Sequence, residues 1–263
     1  MTAPESPLLS CAVVIPFFNE SGRIGPTLQR VRAAVAGLGA DRVRIYCVDD
    51  GSVDGGAGEA RVEGVVLVQH PTNRGYGASL QSGIARTTED LILIVDGDGT
   101  YPVEDIPRLL EAMEDDVDMV VGSRYGAGLK QHPMRRLGRW ILGGMVHALT
   151  RKRVPDLNSG LRVFRRGLYD EFQHLLPQGF SFTTTITVAS LFNDRPMRYL
   201  PVEYARREGA SHIRALRDFV GFGVLILRLA KYFRRHPTPR GSRTSETPRP
   251  AWAAPGEAPR DRA

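Results

Sequence analysis

The run Asp96-Gly97-Asp98-Gly99-Thr100 follows an apolar stretch at 91–95. Two carboxylates two residues apart on a glycine-flanked turn can grip one hard divalent cation. Mg2+ takes oxygen ligands from one or two carboxylates and completes its shell with substrate phosphates. A second acidic end, Asp49-Asp50-Gly51-Ser52, closes the apolar run 43–48. Acids there can accept hydrogen bonds from a base N–H or a ribose hydroxyl; the alternative is a turn with helix-capping acids. A third apolar run, 11–16, leads into Phe17-Phe18-Asn19-Glu20. The second half is rich in arginine: Arg124, Arg135, Arg136, Arg139, Arg162, Arg206 and Arg207. A guanidinium forks onto phosphate oxygens better than an ammonium does. Asp156 is the one acid placed where a general base would sit, with a structural cap as its alternative.

The elements that must position these residues alternate along the chain. Residues 11–16, 43–48, 65–69, 91–95 and 119–121 read as short buried strands. Continuous apolar runs of that length fit a sheet covered on both faces. Residues 27–38 carry Leu28, Val31, Val35 and Leu38 at helical spacing behind Pro26. Residues 78–86 and 106–113 read as helices too. Beyond Arg124 the pattern loosens: 137–149 is apolar with scattered polar residues, 180–192 reads as a helix weakened by its threonines, and 199–204 as a strand. This order predicts an α/β fold with a single Rossmann-like, mostly parallel sheet flanked by helices. Ligands of such sheets bind beyond the C-terminal strand ends, where the acids fall.

Of 263 residues 42% are apolar, enough for a core. The expected organisation is a leader at 1–9, a catalytic domain at 10–215, an amphipathic helix at 216–233 and a disordered, basic, Pro-rich tail at 234–263. The tail holds seven arginines against three acids, so the first 233 residues carry about +2 of the net +6. That is too little for a nucleic-acid stripe. No GxGxxG follows the first strand and no GxxxxGK[ST] occurs, which excludes dinucleotide enzymes of that type and P-loop NTPases. Cys11 and Cys47 offer neither CxxC nor zinc spacing and read as buried thiols in a reducing cytosol. The N-terminus, with Glu5 and no basic region, does not read as a signal peptide. No apolar run approaches the length of a transmembrane helix.

Taken in order, PFFNE at 16–20, VDDGSVD at 48–54, NRGYGASL at 73–80, DGDGTY at 96–101 and GSR at 122–124 resemble the inverting family 2 glycosyltransferases of GT-A fold. The likeness continues through DLNSGLRVFRR at 156–166 and REGASH at 207–212, over roughly 10–215. The later motifs are similar to the branch of dolichyl-phosphate mannosyltransferase and bacterial polyprenyl-phosphate glycosyltransferases. The resemblance implies that Pro16, Phe18, Glu20, Asp49 and Asp50 cradle a nucleoside. It implies that Asp96 and Asp98, around Gly97, hold Mg2+ or Mn2+ against the donor diphosphate. Thr100 would be a third metal ligand, where mannosyltransferases usually carry Gln. Arg124 and Arg162 would bind phosphate, with Arg162 and Arg206 on the acceptor. Arg206 and His212 would form the family's closing-loop cation pair, His standing in place of Lys.

The expected catalytic set is Asp98, Asp156 and Arg124. The expected reaction moves mannose or glucose from GDP-mannose or UDP-glucose to a polyprenyl phosphate, with inversion, at the inner face of the cell membrane. An acceptor phosphate is already anionic and needs cations for positioning; a hydroxyl acceptor needs a general base. A hydroxyl acceptor, or a non-catalytic nucleotide-sugar-binding role beside a membrane transferase, are the alternatives. A homodimer or a membrane partner protein is compatible with either. In 219–233, Phe219, Phe222, Leu225, Ile226, Leu229 and Phe233 fall along one helix side. Arg214, Arg217, Arg228, Lys231, Arg234 and Arg235 flank them. That pattern fits a helix lying in a membrane interface; packing on the catalytic domain or in a dimer is its alternative.

Overall fold

The computed structural model describes residues 9–39, 42–124, 133–205 and 215–237. The expected leader, apart from Leu9, and the tail from 238 onward lie outside the described residues, as do Arg206 and His212. The centre is one seven-stranded sheet in the order β3-β2-β1-β4-β6-β5-β7. Its strands are β1 (Cys11–Phe17), β2 (Val43–Asp49), β3 (Val65–Gln69), β4 (Leu91–Ile94), β5 (Met119–Ser123), β6 (Arg162–Arg165) and β7 (Met197–Pro201). β1 to β4 are parallel, and β7 runs parallel to β5. β6 is antiparallel to both neighbours, β4 and β5. Its first residue, Arg162, therefore sits beside Ile94 and Val121, near the C-terminal ends of those strands. The antiparallel strand brings its preceding loop to the edge where the parallel strands deliver their acids.

Eight helices cover the sheet among the described residues: α1 (Ile24–Val35), α2 (Gly56–Glu59), α3 (Tyr76–Ile84), α4 (Ile106–Glu111), α5 (Pro133–Thr150), α6 (Arg166–Phe172), α7 (Phe182–Phe192) and α8 (Ala215–Arg235). Strand side chains alternate between faces, and two apolar clusters result. Val14, Val48, Ile92, Val121 and Phe164 pack with α3, α6, α7 and α8. Val13, Ile15, Cys47, Leu93 and Val163 pack with α1 and α4. The threonines of α7 are buried, and burial overrides their weak helix preference. Thr185 Oγ1 donates to Ser181 O at 2.9 Å, and Thr187 Oγ1 to Thr183 O at 2.8 Å. This back-bonding to the preceding turn satisfies hydroxyls that water does not reach.

α8 corrects one expectation. The side holding Ile226, Leu229 and Phe233 is buried against the domain core, together with Ala230 and Tyr232. Phe233 meets Phe172 and Phe192 ring to ring. The apolar side expected at a membrane interface is the packing face, because the first apolar cluster needs a lid over α6 and α7. What α8 leaves outward is Val220, Val224 and Leu227. No helix of the described residues is long and apolar enough to cross a membrane.

Candidate active site

The turn after β4 carries the two predicted metal carboxylates. The Asp98 Oδ1 oxygen accepts Thr100 Oγ1 at 2.6 Å and the Thr100 backbone N–H at 3.1 Å. Thr100 is 3% exposed. The Thr100 hydroxyl proton is committed to Asp98, which it orients; the oxygen keeps its lone pairs for the metal-ligand role that the resemblance implies. Asp96 Oδ1 accepts the Tyr76 hydroxyl at 2.8 Å. The Asp96 carboxylate also lies directly against Gly160: a Cβ there would stand 2.2 Å from Oδ2 and 2.5 Å from Oδ1. Gly97 turns the chain against β1, where a side chain would strike Phe17, Ile24 and Pro16 O. This packing accounts for the glycine without a substrate contact.

Among the described residues no three His, Cys, Asp or Glu side chains gather as a metal cage. The donor set is instead two hard carboxylates on one turn. That fits an ion completed by substrate phosphates and water.

Of the nucleoside residues expected at the first two strand ends, several hold the protein itself. Asp49 is 2% exposed and accepts the Ser52 N–H at 2.8 Å and Gln69 Nε2 at 3.2 Å. Glu20 is buried and pairs with Arg23 at 2.8 Å. Pro16 is buried in β1, and Phe18 beside it is half-buried. Asp50 is a correction. Its Oδ1 takes the Arg74 N–H at 2.9 Å and meets His70 Nδ1 at 2.7 Å; its Oδ2 takes the Gly75 N–H at 2.8 Å. A carboxylate so occupied fastens the loop 70–75 and is not aimed at a nucleoside. That loop in turn delivers Tyr76 to Asp96.

The opposite wall comes from the loop before β6. Arg124, just past β5, forks onto Asp156: Nε to Oδ2 and Nη2 to Oδ1, both 2.8 Å. Nη2 also reaches Asn158 Oδ1 at 2.7 Å, and the guanidinium lies 5.5 Å from the Tyr204 ring centroid. Asp156 is 1% exposed. It does not fit the expected general base, since both its oxygens receive the arginine. The two residues, expected in separate roles, form one unit. Tyr101 ties the walls together: its hydroxyl accepts the Gly160 N–H at 2.6 Å, and its ring meets Tyr204 edge-on at 4.9 Å.

Arg162 is a further correction. It is fully buried. Nε and Nη2 donate to Ser159 O at 3.0 and 2.6 Å, and Nη1 to Thr183 O at 3.0 Å and Thr187 Oγ1 at 2.8 Å. A guanidinium held in the interior by protein oxygens does not reach an acceptor phosphate. It fastens the loop 157–160 to α7. Burial pulls its pKa down.

Sequence reasoning did not single out Tyr76, Tyr101, Gly160 or Tyr204. The first three lie inside motifs at 73–80, 96–101 and 156–166 that were visible as runs, without a sign of which member mattered. Burial, and then the facing Asp96 carboxylate, push the Tyr76 pKa well above its usual value. Its hydroxyl therefore stays protonated and donates. Burial likewise raises the pKa values of Tyr101 and Tyr204.

Residues 12–172 match the family described as Glycosyl transferase family 2. The chain is 30% identical over 208 residues to an undecaprenyl-phosphate 4-deoxy-4-formamido-L-arabinose transferase of Klebsiella pneumoniae, covering 77% of this chain and 62% of that protein. It is 27% identical over 220 residues to a dolichyl-phosphate hexose transferase of Haloferax volcanii, covering 83% of this chain and 92% of that one. The chain thus spans less than two thirds of the first relative and nearly all of the second. Glucosyl-3-phosphoglycerate synthase of Mycobacterium tuberculosis, crystallised with Mn2+, UDP-glucose and phosphoglyceric acid, superposes with a TM-score of 0.67 at 18% identity. That match covers 85% of this chain and 80% of the synthase, and the shared fold is GT-A.

Proposed function

The chain belongs to glycosyl transferase family 2, and from that premise we propose that it transfers a hexose from a nucleotide sugar to a polyprenyl phosphate, with inversion. The observation that carries this reading is the Arg124–Asp156 fork. A hydroxyl acceptor needs a base to take its proton, and Asp156, the acid in place for that, is committed to Arg124 at 2.8 Å. A phosphate acceptor needs no deprotonation. The names of the two relatives, which describe lipid-phosphate acceptors, support the same choice.

Each residue then has a task. Asp98, held by Thr100, and Asp96, held by Tyr76, would bind Mg2+ or Mn2+. When bound, such an ion stabilises the charge that develops on the departing nucleoside diphosphate. Arg124, forked onto Asp156 beside Tyr204, fixes that wall and places its positive charge there. Asp49, Glu20 and Phe18 shape the nucleoside end. Arg206 and His212 enter from sequence alone as the closing-loop cations. GDP-mannose and UDP-glucose are the donors proposed.

The test is a panel of radiolabelled nucleotide sugars with a short-chain polyprenyl phosphate, reading organic-phase product. One donor should give label that is lost in EDTA and regained with Mn2+ or Mg2+. The matching polyprenol should receive none. Transfer to water-soluble hydroxyl acceptors instead would overturn the lipid-phosphate reading. A donor left intact by the purified chain would favour the binding-partner role.

The acceptor's solvent is a bilayer, so the enzyme must meet a membrane surface; we place that contact on the outward stripe of α8. Val220 is 56% exposed and Leu227 54%, with Val224 between them. Arg228, Lys231, Arg234 and Arg235 are exposed beside them. The neighbouring α5 exposes Trp140 and Ile141. An apolar stripe edged by cations suits an anionic lipid surface at the inner face of a membrane. The full chain should sediment with anionic vesicles at low salt and less with neutral ones. Val224→Glu with Leu227→Glu should release it without lowering Tm. A wild-type chain that ignores anionic vesicles, or a double variant that still binds them, would contradict the placement; a dimer broken by the same variant would assign the stripe to a second copy.

A further inference from the structure

Asp96 lies against Tyr76 and Gly160, and both constrain its carboxylate. The Tyr76 hydroxyl donates to Oδ1 at 2.8 Å, and the Gly160 Cα leaves no room for the carboxylate to swing toward it. Tyr76 is itself fixed from three sides. It opens α3 directly after the loop that Asp50 fastens through the Arg74 and Gly75 N–H groups. Its ring stacks on Phe180, centroids 5.9 Å apart and planes 13° off parallel. The first turn of α3 is tied to the same segment, Ala78 N–H donating to Gln178 O at 2.8 Å.

A packing role alone would be served by a phenylalanine here. The hydroxyl adds one thing, a directed hydrogen bond to one oxygen of a carboxylate read as a metal ligand. Partners of this kind orient a ligand and hold its second oxygen toward the ion. We propose that Tyr76 is a positioning residue that sets the affinity of the Asp96–Asp98 site for its divalent cation. This rests on the metal reading given under the proposed function, but not on the identity of sugar or acceptor. Phe180 serves as the brace that keeps the tyrosine ring in plane.

The experiment is direct Mn2+ binding, followed by the paramagnetic resonance of the free ion, with saturating UDP or GDP, whichever wild type binds. Tyr76→Phe keeps the ring, the stack and the helix start. It should weaken Mn2+ by roughly 10- to 100-fold while Tm and metal-free nucleotide binding stay at wild-type values. Equal Mn2+ affinity in the variant overturns the proposal. So does a fall in Tm with affinity per folded molecule unchanged, which would make Tyr76 a packing residue. A second measurement guards against indirect effects. In an Asp96→Asn background, adding Tyr76→Phe should cost little further affinity; a full additional loss would show that the hydroxyl does not act through Asp96. A wild-type chain that binds no Mn2+ with either nucleotide overturns this proposal and the metal reading together, whereas failure of Tyr76→Phe alone leaves the metal reading standing.

Discussion

Replacing Gly160 by alanine should leave a folded protein with turnover reduced by about two orders of magnitude or more. The new methyl carbon would stand 2.2 to 2.5 Å from the Asp96 carboxylate atoms, closer than any contact tolerates. Backbone strain is not the reason, because Gly160 is not among the positive-φ residues. The Gly160 N–H bond to Tyr101 also survives the change. The carboxylate is the end of a side chain and can give way, so the fold need not. It then leaves the position that Tyr76 holds it in. A displacement near 1 Å at a reacting centre costs on the order of 100-fold in rate. The check is turnover with the preferred donor beside a melting curve. Wild-type turnover in Gly160→Ala would mean that the slot around Asp96 is not tight.

Arg162→Met should do the opposite, and damage the fold more than the chemistry taken per folded molecule. Methionine fills much of the arginine volume, but Ser159 O loses both of its guanidinium donors, while Thr183 O keeps the Thr187 hydroxyl. A stranded buried acceptor costs about 1–3 kcal/mol. For a domain of this size roughly 3 kcal/mol moves Tm by about 6–12 °C. Had this arginine been a phosphate ligand, Tm would hold and KM would rise. The pair of readouts therefore separates the two roles, and an unchanged Tm would sink the interior one.

Arg124 and Arg162 show where sequence is legible and where it is not. β1, β2 and β4 announce themselves because both faces are covered, so their runs are apolar without a break. Acids just past such runs fall at one edge of a parallel sheet, which made Asp96 and Asp98 readable as candidate metal ligands, whereas the bonds of Asp49 to Ser52 and Gln69 were not readable. β6 hides, being four residues long with arginine at either end and only Val163 and Phe164 between. β7 begins two residues earlier than expected, at Met197, because an edge strand is only half-buried and its pattern is weak. Side-chain fate is harder still. Arginine is almost never fully buried, so nothing about the letter at 162 hints at an interior guanidinium. Asp50 and Asp156 likewise look like free acids until the loop at 70–75 and Arg124 are folded against them. The Tyr76–Asp96 contact joins the start of α3 to the turn after β4, twenty positions away, and only the assembled fold brings them together.

The strand order also sets a schedule for the chain as it is made. β4 is entirely apolar and gains its second neighbour only when β6 appears. Between them lie roughly seventy residues, several seconds of synthesis at about 5–20 residues per second. Through that interval the edge of β4 presents unpaired backbone groups on an apolar strand, a template for pairing with another nascent chain. The residues that complete the site thus also close an apolar edge of the growing protein. Slow translation between β4 and β6 would then be expected to lower soluble yield without altering the finished enzyme.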